Sequence, residues 1–148
     1  MSGRWEYLLL RRVPMPKLGL ERFWQGVTGG LEEGETPRQA AVRELWEETG
    51  FAAIRLEDVG YWYSYPIRNE WRHLYASEAT EIVEHVFVAC VDPSQAPKLS
   101  WEHDEYQWCR FPEAMGLLTY PGNTAGLQRC DEYLRARDEK TVFRGIRR

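Results

Sequence analysis

Three glutamates, Glu44, Glu47 and Glu48, stand in the stretch RELWEETG at spacings of three and four residues. On a helix such positions share one face, so three carboxylates would crowd into a single arc. Like charges that close repel one another. One cation, Arg43, lies four residues before Glu47 and is placed to pair with it. A solvated, salt-bridged helix is the ordinary reason for a segment rich in Glu and Arg, but a single arginine relieves three carboxylates poorly. A divalent cation relieves them better. Carboxylate oxygens are the hard ligands that Mg²⁺ prefers, and the ion keeps further positions for water and phosphate oxygens. The preceding turn, TGGLEEGE, adds backbone oxygens and glycine flexibility beside the same helix.

The sequence marks that helix clearly. Thr36 is a good N-cap, Pro37 suits the first helical position, and Gln39 completes a capping box. Thr49-Gly50 ends it, with Gly50 as C-cap. Val42, Leu45 and Trp46 fall opposite the acidic arc and are expected to anchor the helix in the core. Ala40, one turn before Glu44, leaves space on the acidic side. Around the helix, EYLLLRR reads as a buried strand, FWQGVTG as a short strand entering a glycine turn, and YQWCRF as a strand. The segments AIRLEDVGYWYSYPI and EIVEHVFVACV read as long strands. PEAMGLLT is expected to be a short helix and NTAGLQRCDEYLRARDEK a longer amphipathic one. Strands interleaved with helices imply an α/β sandwich around a mixed sheet.

Bulk properties narrow the function. The chain has 148 residues, enough for one domain with a core. No apolar run reaches 18 residues, so no membrane helix is expected. Cys90, Cys109 and Cys130 lack a CxxC spacing and read as reduced thiols of a cytoplasmic protein. The net charge of −4 argues against nucleic-acid binding, as does the lack of a basic, aromatic platform. Residues 29–51 alone hold six Glu and two Arg, and so account for an excess of −4. The stretch from Leu134 onward carries six basic and two acidic residues and is expected to be a solvated, partly frayed terminus. A GxxxxGK[ST] phosphate loop, HExxH and GxSxG are all absent.

The spacing of the fixed residues resembles a known signature. Gly29, five residues, Glu35, seven residues, then Arg43-Glu44-Leu45, Glu47-Glu48 and Gly50-Phe51 reproduce GX5EX7REUXEEXGU, the signature of Nudix hydrolases. Every fixed position is filled, in the loop-then-helix context the motif needs. The resemblance implies a single Nudix hydrolase domain over residues 1–148, of α/β/α sandwich fold, that binds Mg²⁺ or, alternatively, Mn²⁺. It implies Glu44 and Glu48 as primary metal-ligand carboxylates, Glu47 as a third ligand or water-orienting group, and the Gly29 carbonyl as a metal contact. It makes Arg43 the residue that orients the glutamates and gives Glu35 a supporting role. The reaction implied is metal-assisted hydrolysis of a phosphoanhydride.

Further stretches resemble the dihydroneopterin triphosphate pyrophosphatases: FWQGVTGGLEEGET, RHLYA at 72–76, EHVF at 84–87 and WEHDEYQWCRFPEA at 101–114. By that resemblance Glu102 adds a metal ligand or base, Thr28 a substrate contact and Arg11 a phosphate contact. Arg11 and Arg12 point to opposite faces of a strand, so one of them reaches the site. Tyr61, Trp62, Tyr63 and Tyr65 lie along one strand. They either stack a pterin or purine, Tyr63 foremost, or form core and cross-strand pairs. Arg72 and His73 either bind phosphate or cap a hairpin.

In one respect the chain departs from the pattern. Members carry a strand before the segment matching YLLLRR, whereas about five residues precede it here. Either the true start lies further upstream or an edge strand is missing, which would favour a dimer or cover from the C-terminal tail. The expected ligand is a pterin or nucleoside triphosphate, cleaved with release of pyrophosphate by a monomer or homodimer. Alternatives are a dinucleoside polyphosphate or damaged-nucleotide hydrolase, and a nucleotide-sensing module without catalysis. A sensing module is expected to lose one or more of the helix glutamates, and all three are present.

Overall fold

A computed structural model describes residues 5–67 and 80–147, with side chains described as far as Arg137. Arg72 and His73 lie outside the described residues. Strand β1 (Tyr7–Arg12) runs between β2 (Phe23–Gln25) and β5 (His103–Cys109), antiparallel to both. Strands β3 (Arg55–Pro66) and β4 (Glu81–Cys90) form a separate antiparallel pair. A parallel bridge between Trp24 and Leu118 makes the strand pairing mixed.

Three helices surround these strands: α1 (Pro37–Thr49), α2 (Phe111–Leu117) and α3 (Pro121–Arg147). Helix α1 starts and stops at the expected residues. Thr36 Oγ1 accepts from the Gln39 backbone N–H at 3.1 Å, and Gln39 Oε1 accepts from the Thr36 N–H at 2.9 Å. Gly50 ends the helix at φ 73° and its N–H donates to the Trp46 carbonyl at 2.8 Å. A residue with a Cβ adopts that left-handed conformation only at a cost. The stretch expected to fray continues as helix α3 to Arg147.

The main core forms where β1, β5 and α2 meet, from Leu9, Cys109, Ala114 and Leu118, with Trp24 and Leu127 against it. Cys90, Cys109 and Cys130 are free thiols. The β3–β4 pair has two unlike faces. Tyr61, Tyr63 and Tyr65 oppose Val86, Glu84 and Ile82, and this face packs under α3. Gly122 of α3 lies so close to the Tyr63 ring that a Cβ there would sit 2.6 Å from it. The other face carries Trp62, Ser64, Val83, His85 and Ala89, all exposed, and looks toward α1.

The burial of α1 corrects the sequence expectation. Leu45 is buried as expected, but Val42 and Trp46 are 53% and 62% exposed. The buried face is instead made by Ala40, Leu45, Glu48 and Thr49. The helix turns Glu48 and most of Glu44 inward and leaves Glu47 exposed. Apolar residues being inside is a one-way tendency, and exposed ones remain common.

Candidate active site

Helix α1 and the loop before it supply most of the cluster. Arg43 is its organiser. Nε and Nη2 donate to both oxygens of Glu35 at 2.8 and 2.9 Å. Nη1 donates to Glu44 at 2.7 Å and to Glu47 at 3.1 Å, and Nη2 also reaches the Gly30 carbonyl at 2.8 Å. A planar guanidinium with five donors makes this fork possible, where an ammonium would not. The hydrogen bonds from Arg43 and from the Glu32 backbone hold Glu35 down at about 2. The guanidinium itself is pushed further above its ordinary range, chiefly by Glu35. Glu35 thus ties the glycine turn to the helix: its Oε1 also accepts the Glu32 N–H at 2.9 Å.

Glu48 is the most unusual group in the chain. It is 1% exposed, and neither carboxylate oxygen has a hydrogen bond of good geometry, the Thr28 backbone N–H giving it only weak relief. Burial, then the neighbouring Glu44 and Glu102 carboxylates, push its carboxyl up to about 9. A buried carboxylate without donors is costly unless a cation or proton meets it. Gly29 closes the other side. A Cβ on Gly29 would lie 2.0 Å from Glu44 Cδ, so the backbone there is pressed against the Glu44 carboxylate.

Glu102 arrives from the segment before β5. Its backbone carbonyl accepts from Arg12 Nη1 at 3.0 Å, and Oε2 lies 3.4 Å from the same atom. Arg12 also lies over the Trp101 ring at 5.5 Å. Arg11 does not join the cluster. It pairs with Asp104 at 2.8 Å and Glu105 at 3.0 Å, and packs on Trp24. Arg11 and Arg12 face opposite ways along β1, and the pairing register with β5 shifts between them.

Thr28 sits at the cluster through the glycine loop, with Oγ1 donating to Gln25 Oε1 at 3.4 Å. An open cleft beside it is walled by Thr28, Gly29 and Leu31, by Ala40, Glu44 and Leu45 of α1, and by Val83, His85 and Phe87 of β4. Glu44 is shared between this cleft and the buried Glu48. Tyr63 is not in the cleft: its hydroxyl bonds Glu84 and accepts from Asn123 at 3.4 Å, under α3. Trp62, 58% exposed, is the aromatic on the cleft side, opposite His85. Strand parity decides this, because alternate residues face opposite ways.

These residues suit a divalent cation. Among the described residues no group of three or more acidic, His or Cys side chains is arranged to hold a metal ion, and Arg43 holds Glu44. The donor chemistry nevertheless fits: two orphaned oxygens on Glu48, the adjacent Glu44 carboxylate, Glu102 in their field and the glycine backbone pressed against them. Of the two strand arginines the sequence favoured Arg11 where the structure places Arg12 beside Glu102, and sequence reasoning missed His103 and Gln25. His103 and Gln25 are buried polar groups of the site, and no motif spacing marks them.

Comparison with known proteins gives a consistent picture. The profile of the NUDIX domain matches residues 2–128. The chain is 38% identical over 117 residues to an octanoyltransferase of Myxococcus xanthus, a match over 78% of this chain but 29% of that longer protein. It is 32% identical over 126 residues to the dihydroneopterin triphosphate diphosphatase of Haemophilus influenzae, covering 82% of this chain and 76% of that one. The structure of the Escherichia coli dihydroneopterin triphosphate pyrophosphohydrolase superposes with a TM-score of 0.65 at 30% identity, covering 86% of each chain. No helix among the described residues is long and apolar enough to cross a membrane.

Proposed function

The chain belongs to the Nudix hydrolases, and from that premise we propose that it cleaves dihydroneopterin triphosphate, or a related (deoxy)nucleoside triphosphate, with release of pyrophosphate. The observation that carries the chemistry is the buried Glu48 carboxylate, whose two oxygens lack a well-formed hydrogen bond, set beside Glu44. Glu44, Glu48, Glu102 and the Gly29 carbonyl would hold a divalent ion, Mg²⁺ or in its place Mn²⁺, with Glu47 at its solvent side. When bound, that ion supplies positive charge against the phosphate oxygens and acidity to water. Glu47, half-exposed and tethered by Arg43, would serve as a third ligand or orient the attacking water, and Glu102 as a ligand or base. Arg43 keeps Glu44 and Glu47 in register while their charges are engaged.

The cleft supports a flat heterocycle attached to a phosphate chain. Leu31, Leu45, Val83 and Phe87 give it apolar walls, and Glu44 stands at the end where phosphates would meet the ion. Trp62 offers a ring face on the same side. The pterin itself is proposed on the relatives, which are named for that substrate and share 30–32% identity.

The test is a substrate panel with Mg²⁺: dihydroneopterin triphosphate, the dNTPs, diadenosine tetraphosphate and ADP-ribose, products resolved by chromatography, with Glu48→Gln as control. Preferential release of pyrophosphate from the pterin is the expected result. Equal cleavage of many nucleotides would withdraw the pterin, and a chain that cleaves none would withdraw catalysis.

A further inference from the structure

Two buried groups of the site face each other across atoms that lack a well-formed hydrogen bond, His103 Nδ1 and Glu48 Oε1. His103, at the start of β5, is 4% exposed, and its Nδ1 has no hydrogen-bond partner among the described residues. That atom stands 3.8 Å from Glu48 Oε1, which has none either. The orientation of the Gln25 amide, with Oε1 accepting from Thr28 Oγ1, decides which ring nitrogen carries the proton. His103 Nε2 lies 3.0 Å from Gln25 Nε2. A carboxamide nitrogen only donates, so His103 Nε2 accepts and bears no hydrogen. The neutral ring then carries its one proton on Nδ1, aimed at Glu48.

The donors therefore run in one direction. Thr28 Oγ1 donates to Gln25 Oε1, Gln25 Nε2 to His103 Nε2, and His103 Nδ1–H points to Glu48 Oε1. We propose that His103 is a positioning residue that fixes the Glu48 carboxylate through its Nδ1–H, with Gln25 setting the tautomer and linking the pair to the glycine loop at Thr28. The separation of 3.8 Å exceeds a hydrogen bond, and a side-chain shift of under ~1 Å closes it. A buried core histidine with a purely packing role would have both nitrogens satisfied or solvated, whereas this one turns an unused donor toward the carboxylate that most needs one. The inference rests on the reading of Glu48 as a metal-holding carboxylate. Outer partners of that kind change metal affinity or activity by about 10–100-fold when removed.

Two measurements on the full chain test it. The first is ¹⁵N NMR of histidine-labelled protein, with His103→Asn assigning the resonance. A proton on Nδ1 is expected. A proton on Nε2 would mean that Gln25 presents its oxygen and would overturn the proposal, whatever the substrate proves to be. The second compares His103→Leu, His103→Asn and Gln25→Met for Mn²⁺ affinity, kcat and KM. His103→Leu is expected to lose about 10–100-fold in Mn²⁺ affinity and in kcat with KM little changed. Asn places an N–H near the Nδ1 position, and its variant should recover most of that loss. Should the Leu variant fail to fold, Gln25→Met is expected to weaken Mn²⁺ in the same sense. Unchanged Mn²⁺ affinity and kcat in the folded Leu or Met variant would overturn the role. Failure of the metal reading shows separately, as Glu48→Gln retaining full Mn²⁺ affinity.

Discussion

Replacing Glu48 by Gln should make the metal-free protein more stable while removing its activity. In the folded chain the Glu48 carboxyl is pushed from its ordinary 4.5 up to about 9, first by burial and then by Glu44 and Glu102. The sign follows from proton counting. Below about pH 4.5 both folded and unfolded chains keep the proton, and the group contributes its full stability. Above that value the unfolded chain releases the proton while the folded one retains it, so stability falls with rising pH until about 9. The slope is about 1.4 kcal/mol per pH unit. At pH 7 the accumulated loss is about 3 kcal/mol, and a Gln side chain, which never ionises, escapes it. For a chain of this size 1 kcal/mol corresponds to about 2–4 °C, so the variant should melt about 6–12 °C higher at pH 7 in chelator. The gap should vanish near pH 4.5 and widen toward pH 9. Saturating Mg²⁺ should raise the wild type, by about 2.7 kcal/mol at one hundred times Kd, and leave the variant nearly unmoved. The assay is thermal melting of both proteins across that pH range, with and without Mg²⁺, alongside turnover. Parallel melting curves in chelator would refute the argument that burial of this carboxylate strains the apo fold. Near-full turnover by a folded variant would refute its place as a metal-holding group.

Other perturbations separate the parts of the site. Gly29→Ala should keep the fold, since the clash falls on a side chain, but its Cβ must displace Glu44. Mn²⁺ titration and turnover should both fall, by about 100-fold or more, with the circular dichroism unchanged. Trp62→Ala should raise KM about tenfold with kcat little altered, the size expected for a lost stacking surface, whereas Tyr63→Phe should leave KM alone and lower the melting temperature, because Tyr63 belongs to the layer under α3. Arg43→Lys keeps the charge but loses the fork to Glu35, Glu44 and Glu47. Turnover should drop about tenfold or more, and urea denaturation should show a less stable protein.

What could be read from the sequence was what depends on neighbours along the chain. The capping box of Thr36 and Gln39, the Gly50 stop and the strand segments formed as expected, since each rests on residues a few positions apart. The glutamates and their loop were legible as a set for the same reason. Three features were decided only when distant segments met. The pairing of β1 with β5 decided which of the two arginines lies beside Glu102, and it is Arg12. Packing of α3 on one face of the β3–β4 pair consigned Tyr63 to the interior and left Trp62 toward the cleft. The buried contact of Gln25 with His103 joins residues 78 positions apart and has no local signature. The sequence by itself determined the local conformations and the chemical kind of the site, because propensity, capping and helical spacing act over one or two turns. Tertiary structure decided which face of each element is buried, and so drove Glu48 inward and Trp46 outward. Burial is a property of the whole arrangement, and it is the first cause of the raised Glu48 carboxyl.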